Sequence, residues 1–112
     1  MEKQTTLSEL RESAGRAAAF LRLLANENRL AILCALGEGE RSVGDLAQEL
    51  GTSQPNVSQH LAKLRALELV ATRREGTTIL YALKSRDAVS IIAILHRRYC
   101  RPVTGKARRR AA

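Results

Sequence analysis

Aromatic residues are scarce in this chain: among 112 residues there are one Phe, two Tyr and no Trp. A core without large rings must be built from aliphatic side chains, here mostly Leu and Ala, and that composition suits helices. Long apolar runs are missing too. The longest, Leu30 to Leu36, falls far below the roughly 18 residues of a membrane span, and residues Met1 to Thr6 carry no hydrophobic signal segment. These absences exclude a membrane partner and point to a cytoplasmic, bacterial-type protein. Cysteine is limited to Cys34 and Cys100, too far apart for a CxxC motif. No Gly-rich phosphate loop, paired carboxylates or Cys/His base arrangement accompanies them, so the sequence predicts neither an enzyme nor a cofactor. A thiol enzyme stays as the minor alternative, with His96 four residues before Cys100 but lacking an evident orienting partner.

What is present is positive charge, unevenly spread. Residues 1–53 hold six Lys or Arg against eight Asp or Glu, 54–84 hold five against two, 85–96 one against one, and 97–112 seven against none. The tail, 101–112, is expected to be disordered, and serves either as a solubilising end or as a non-specific DNA arm. The middle segment is basic in its own right through Lys63, Arg65, Arg73, Arg74 and Lys84, as phosphate contact requires.

That segment overlaps a helix-turn-helix pattern over residues 42–68. Ser42 and Asp45 form a capping-box pattern, Leu46 and Leu50 repeat at one helical turn, and Gly51 breaks the helix. Ser53 then caps a second helix, Pro55 fits its first turn, and Val57, Leu61 and Leu64 make a buried stripe. The other face carries Gln54, Asn56, Ser58, Gln59, His60 and Lys63. A merely solvated face more often carries Glu and Lys, whereas Asn and Ser are poor mid-helix choices. Amides, hydroxyls and a cation at the start of an exposed helix reach base edges and phosphates in a major groove. Ser53, Gln54, Asn56, Ser58, Gln59, His60 and Lys63 are therefore the predicted reading residues for double-stranded operator DNA.

Before this motif, residues 7–24 show a helical period with Leu10, Ala14, Ala17, Ala18, Leu21 and Leu24 on one broad face, Phe20 beside it, and Thr6 or Ser8 as cap. Asn26 caps a second helix that is apolar all round, hence central, and that ends at Gly37 and Gly39. After Leu69 the period changes to two, with a turn at Glu75-Gly76-Thr77: a two-stranded hairpin. Behind a recognition helix a hairpin is a wing, and Arg73 and Arg74 near its tip face the DNA. Ser85 caps a last helix to about Tyr99, with Val89, Ile92, Leu95, His96 and Tyr99 on one stripe and Ile91 at its margin. Apolar helices at both ends of a small chain pack on each other or on a second subunit. The first and last helices are thus read as a homodimer interface, which lets two recognition helices meet half-sites about 34–36 Å apart.

The order of elements and the segments LANENRLAIL (24–33), LGTSQPNVSQHLAKL (50–64) and VATRREGTTILY (70–81) resemble the ArsR/SmtB family of winged-helix, homodimeric bacterial repressors. The resemblance spans roughly residues 14 to 100. It implies binding to an inverted repeat and release by an inducer at a remote site. The family's arsenic and heavy-metal sensors carry a Cys-x-Cys pair where this chain has Ser42-Val43-Gly44, and its zinc sensors carry an Asp and a His two apart where this chain has Asp87 and Val89. No metal site is therefore expected. The cysteines are read in two ways: as small buried hydrophobes, or as one dithiol switch. Ile32-Leu33-Cys34 and Leu95-His96-Arg97-Arg98-Tyr99-Cys100 resemble the persulfide-sensing BigR/SqrR-like branch of the family, and that resemblance implies a switch responding to reactive sulfur species. General oxidants remain the alternative inducer. Arg97, Arg98 and Arg101 favour the Cys100 thiolate against the helix dipole, while Cys34, in an apolar helix, is expected to be less ionised.

The predicted fold is mainly α with a small β-hairpin: a winged helix-turn-helix of about five helices and a two-stranded wing. Residues 1–6 form a flexible N-terminus, 7–100 the DNA-binding and dimerisation domain, and 101–112 the tail.

Overall fold

Each helix begins at a side chain able to accept a backbone N–H, and these starts lay out the architecture. The computed structural model describes residues 5–100, in the order α1 (Leu7–Leu24), α2 (Glu27–Gly37), α3 (Val43–Leu50), α4 (Gln54–Ala66), β1 (Val70–Glu75), β2 (Thr78–Leu83) and α5 (Arg86–Tyr99). The tail predicted over 101–112, and all of 1–6 except Thr5 and Thr6, lie outside the described residues. Thr6 rather than Ser8 caps α1: its hydroxyl accepts the Glu9 N–H at 3.2 Å, and the Glu9 carboxylate accepts the Thr6 N–H at 3.1 Å. Asn26, Ser42, Ser53 and Ser85 each accept the N–H three residues on.

Two helices end in the same way with different residues. Gly51, at φ 66°, lets the Thr52 N–H reach the Ala47 carbonyl and turns the chain sharply into α4. At the end of α4 the left-handed position is held by Glu68, at φ 61°, with the Leu69 N–H donating to the Leu64 carbonyl. A non-glycine residue there is uncommon. The Glu68 carboxylate accepts from Lys84 Nζ at 3.1 Å, across the base of the wing.

The core forms around α2. Ile32, Leu33 and Leu36 are buried, as are Leu46 and Ala47 of α3, Val57, Leu61 and Leu64 of α4, Leu69 and Val70 at the wing base, and Ala88 and Ile92 of α5. A helix that is apolar all round must be covered on all sides, and α2 touches every other helix and β2. The wing is an antiparallel pair in the register Val70 to Leu83 through Glu75 to Thr78. Arg41 adds a short third rung, its N–H and carbonyl both paired with Tyr81 at 3.1 and 2.8 Å.

The terminal helices depart from the expected stripes. Of the broad α1 face only Leu24 is buried, while Leu10 and Leu21 stay half exposed; Phe20, placed beside that face, is one of the residues packed on the core. The reason is length. At 1.5 Å per residue α1 runs about 27 Å against about 16 Å for α2, its partner, so much of it overhangs. On α5 the buried positions are Ala88 and Ile92, and Val89 and Tyr99 point outward with Ile94. Truncating the centre of this core, Leu33→Ala, is expected to cost about 2–5 kcal/mol in urea unfolding at fixed protein concentration. A loss below about 1 kcal/mol would show that α2 is not the central element.

Candidate functional site

The α3–α4 turn fixes how α4 presents its polar face. With Val57, Leu61 and Leu64 fully buried, the residues between them point outward: Gln54, Ser58, Gln59 and Lys63 are exposed, as is the cap residue Ser53. Asn56 and His60 are half-buried. Asn56 Nδ2 donates to Thr52 Oγ1 at 2.9 Å, so this amide braces the turn as well as facing outward. Burial, with Arg29 and then Lys63 nearby, pushes His60 below the ordinary histidine value. At neutral pH it is therefore an uncharged imidazole, able to donate and accept one hydrogen bond each.

In the wing the neighbouring arginines differ. Arg74 pairs with Ile79 and is exposed, and among the described residues it makes no ion pair. Arg73, opposite Leu80, instead forks onto Glu40: Nε to Oε2 at 2.7 Å and Nη2 to Oε1 at 2.8 Å. The hydrogen-bonded guanidinium holds the Glu40 carboxyl below the usual carboxylate range, so the pair forms above that range and is lost only as pH falls through the lowered value. Arg41, next in the chain, binds Glu49 of α3 through Nε at 3.0 Å.

The two cysteines lie on helices that pack together, α2 and α5, although 66 positions separate them. Cys34 sits half-buried on α2 and Cys100 is exposed at the C-cap of α5, both as free thiols. Burial, the charge and hydrogen bonding of Cys100, and the Glu38 carboxylate push the Cys34 thiol from 9.0 up to about 11. The Glu38 carboxylate also accepts from His96 Nε2 at 2.8 Å, tying the end of α2 to α5 one turn before Cys100. The orienting partner that the sequence did not reveal for His96 is thus Glu38, and it draws the ring to the α2 terminus.

The family model for the bacterial regulatory protein, arsR family, matches residues 26–72. The transcriptional activator HlyU of Vibrio cholerae is 46% identical over 94 residues, covering 84% of this chain and 87% of that protein. The chain belongs to the ArsR family. Its fold superposes on the reduced form of V. cholerae HlyU with a TM-score of 0.79 at 45% identity, over 85% of this chain and 100% of that one. The repressor BigR from Xylella fastidiosa gives 0.77 at 37% identity, over 85% and 94%.

For an ArsR-family regulator, the residues the sequence missed are the acidic ones. Glu38, Glu40 and Glu49 each hold a basic side chain from another element, and the only hint was two carboxylates flanking Gly39 in a short linker. A thiol at about 11 rather than 9.0 carries about a hundredfold less thiolate near neutral pH. Iodoacetamide should therefore label Cys100 first and Cys34 slowly, with the Cys34 rate rising about tenfold per pH unit until about pH 11. Peptide mass spectrometry reads both rates, and equal labelling of the two at neutral pH would contradict the buried, coupled thiol.

Proposed function

We propose that this protein is a cytoplasmic repressor that binds an inverted-repeat operator as a homodimer and lets go when Cys34 and Cys100 become bridged by sulfur. The DNA-binding regulator class follows from the family. The finer reading is supported chiefly by the packing of α5 on α2 within one protomer, held by the Glu38–His96 contact one turn before Cys100, with the Cys34 thiol raised in part by Cys100.

DNA contact is assigned to the exposed start of α4, with Ser53, Gln54, Asn56, Ser58, Gln59 and His60 at base edges and Lys63 on phosphate, and to Arg73 and Arg74 of the wing. The dimer is assigned to the outward apolar residues Leu7, Leu10 and Leu21 of α1 with Ile94 and Tyr99 of α5, since large side chains this exposed on both terminal helices need a cover. BigR is by name a repressor and HlyU an activator. Repression is favoured here because a dimer on an inverted repeat blocks access by occupancy alone.

The inducer assigned is a persulfide, R–S–SH. The exposed Cys100 thiolate attacks its terminal sulfur and expels RS⁻, leaving a persulfide on Cys100. Cys34 then attacks Cys100 Sγ, HS⁻ leaves, and a Cys34–Cys100 disulfide remains, with one thiol RSH and one hydrogen sulfide formed after proton uptake. The persulfide is the oxidant. A second persulfide molecule can first extend the Cys100 persulfide by one sulfur, losing another RSH; attack of Cys34 on the inner added sulfur, with HS⁻ leaving, then gives a trisulfide bridge. Peroxide reaches the disulfide through a sulfenic acid, so for that product the two inducers differ only in the intermediate, whereas a polysulfide bridge arises from the persulfide alone. Either bridge fixes the end of α5 to α2, and α2 packs on both helices of the reading motif. A dimer helix so re-seated moves the two α4 helices off half-site spacing. Only about 1.4 kcal/mol is needed for tenfold weaker binding.

Titration of DNA upstream of the protein's own gene should show a tenfold or greater loss of affinity after persulfide treatment, with Cys34→Ser and Cys100→Ser proteins staying bound. Release of both variants by the donor would end the dithiol reading. Lys63→Gln should weaken binding to all sequences alike and reduce the salt slope by about one; an effect confined to one base position would contradict its phosphate role.

A further inference from the structure

Arg73 meets a phosphate-like partner before any DNA is present. Its fork onto Glu40, two parallel N–H to oxygen bonds of 2.7 and 2.8 Å, is the geometry by which arginine grips a phosphate. Glu75 brings a further carboxylate oxygen to 3.6 Å from Nη2. The pair lies at the surface, with 52% of the Arg73 side chain and 38% of that of Glu40 accessible. It therefore does not serve the core. Nor is Glu40 a loosely held loop residue: Glu38 before it is joined to His96, and Arg41 after it is joined to Glu49 and to the Tyr81 backbone. The linker between α2 and α3 is pinned on both sides, and it presents one carboxylate to the wing.

We infer that Glu40 is an internal stand-in for a DNA phosphate, which holds Arg73 in a phosphate-binding pose in the free protein and competes with the DNA backbone for it. This rests on the reading that the wing meets DNA. Binding exchanges carboxylate oxygens for phosphate oxygens at the same fork, so Arg73 contributes only the difference between two similar contacts, while Arg74, unpaired among the described residues, contributes its whole charge. The effect is independent of base sequence, because neither partner of the exchange is a base. Glu40 thus lowers affinity for all DNA, and acts on Arg73 by positioning rather than by touching the operator.

The test is a double-mutant cycle on the full-length protein, using one duplex from upstream of its own gene and one random-sequence duplex of equal length, over a range of salt concentrations. Glu40→Gln should tighten binding to both duplexes by about two- to fivefold, the span expected for an exposed ion pair, and steepen the salt dependence by about one contact. Arg73→Gln should weaken both. In the Arg73→Gln background, Glu40→Gln should change nothing. The inference is overturned if Glu40→Gln fails to tighten binding while Arg73→Gln weakens it, or if Glu40→Gln tightens equally with and without Arg73, which is simple charge repulsion. If Arg73→Gln changes binding to neither duplex, the wing reading itself falls and the inference with it.

Discussion

The packing of every other helix and of β2 against α2, around buried Ile32, Leu33 and Leu36, is the constraint from which the rest of the structure follows. The apolar surface of α2 has no polar face to give to water, so α3 and α4 pack beneath it, the wing base closes one flank and α5 closes another. That arrangement places a cysteine of the central helix, Cys34, where the last turn of α5 ends. Both α4 and α5 also rest on this same element. A close-packed interior transmits a displacement rather than absorbing it.

Two chemistries are kept apart in this domain. The face of α4 and the wing arginines are exposed and built for electrostatics, whereas Cys34 is shielded and held protonated by its surroundings. In the proposed switch Cys34 is the resolving thiol, one that does not react with every passing oxidant but acts once Cys100 has been modified. The acidic residues of the α2–α3 linker lie between these regions and bind both, Glu38 to the helix of Cys100 and Glu40 to the wing.

Most of the architecture was legible in the sequence because it is local. Caps at Asn26, Ser42, Ser53 and Ser85, the break at Gly51 and the period change after Leu69 all act within a few residues, and each appears where the pattern puts it. What the sequence hid was long-range or atypical. Glu68 takes a left-handed position that glycine usually marks, so nothing flagged the end of α4. Arg73 to Glu40 and His96 to Glu38 join distant positions through flexible side chains, for which no periodicity exists. The stripe of α1 was read as one face, but a stripe does not say whether its own domain or another copy covers it, and here most of it remains uncovered within the protomer. The juxtaposition of the cysteines was likewise invisible to spacing, and only the family resemblance suggested it.

In the proposed switch one protomer's two thiols react with each other, and this reaction releases DNA. The most direct measurement is peptide mass spectrometry across a persulfide titration, following the linked Cys34 and Cys100 peptides while the bound DNA fraction is recorded in the same samples. Mixed light and heavy isotope-labelled protein separates links within a protomer from links between protomers. Intraprotomer links, disulfide or polysulfide, should rise in step with DNA release. Release without such links, or links only between differently labelled chains, would contradict the proposed switch.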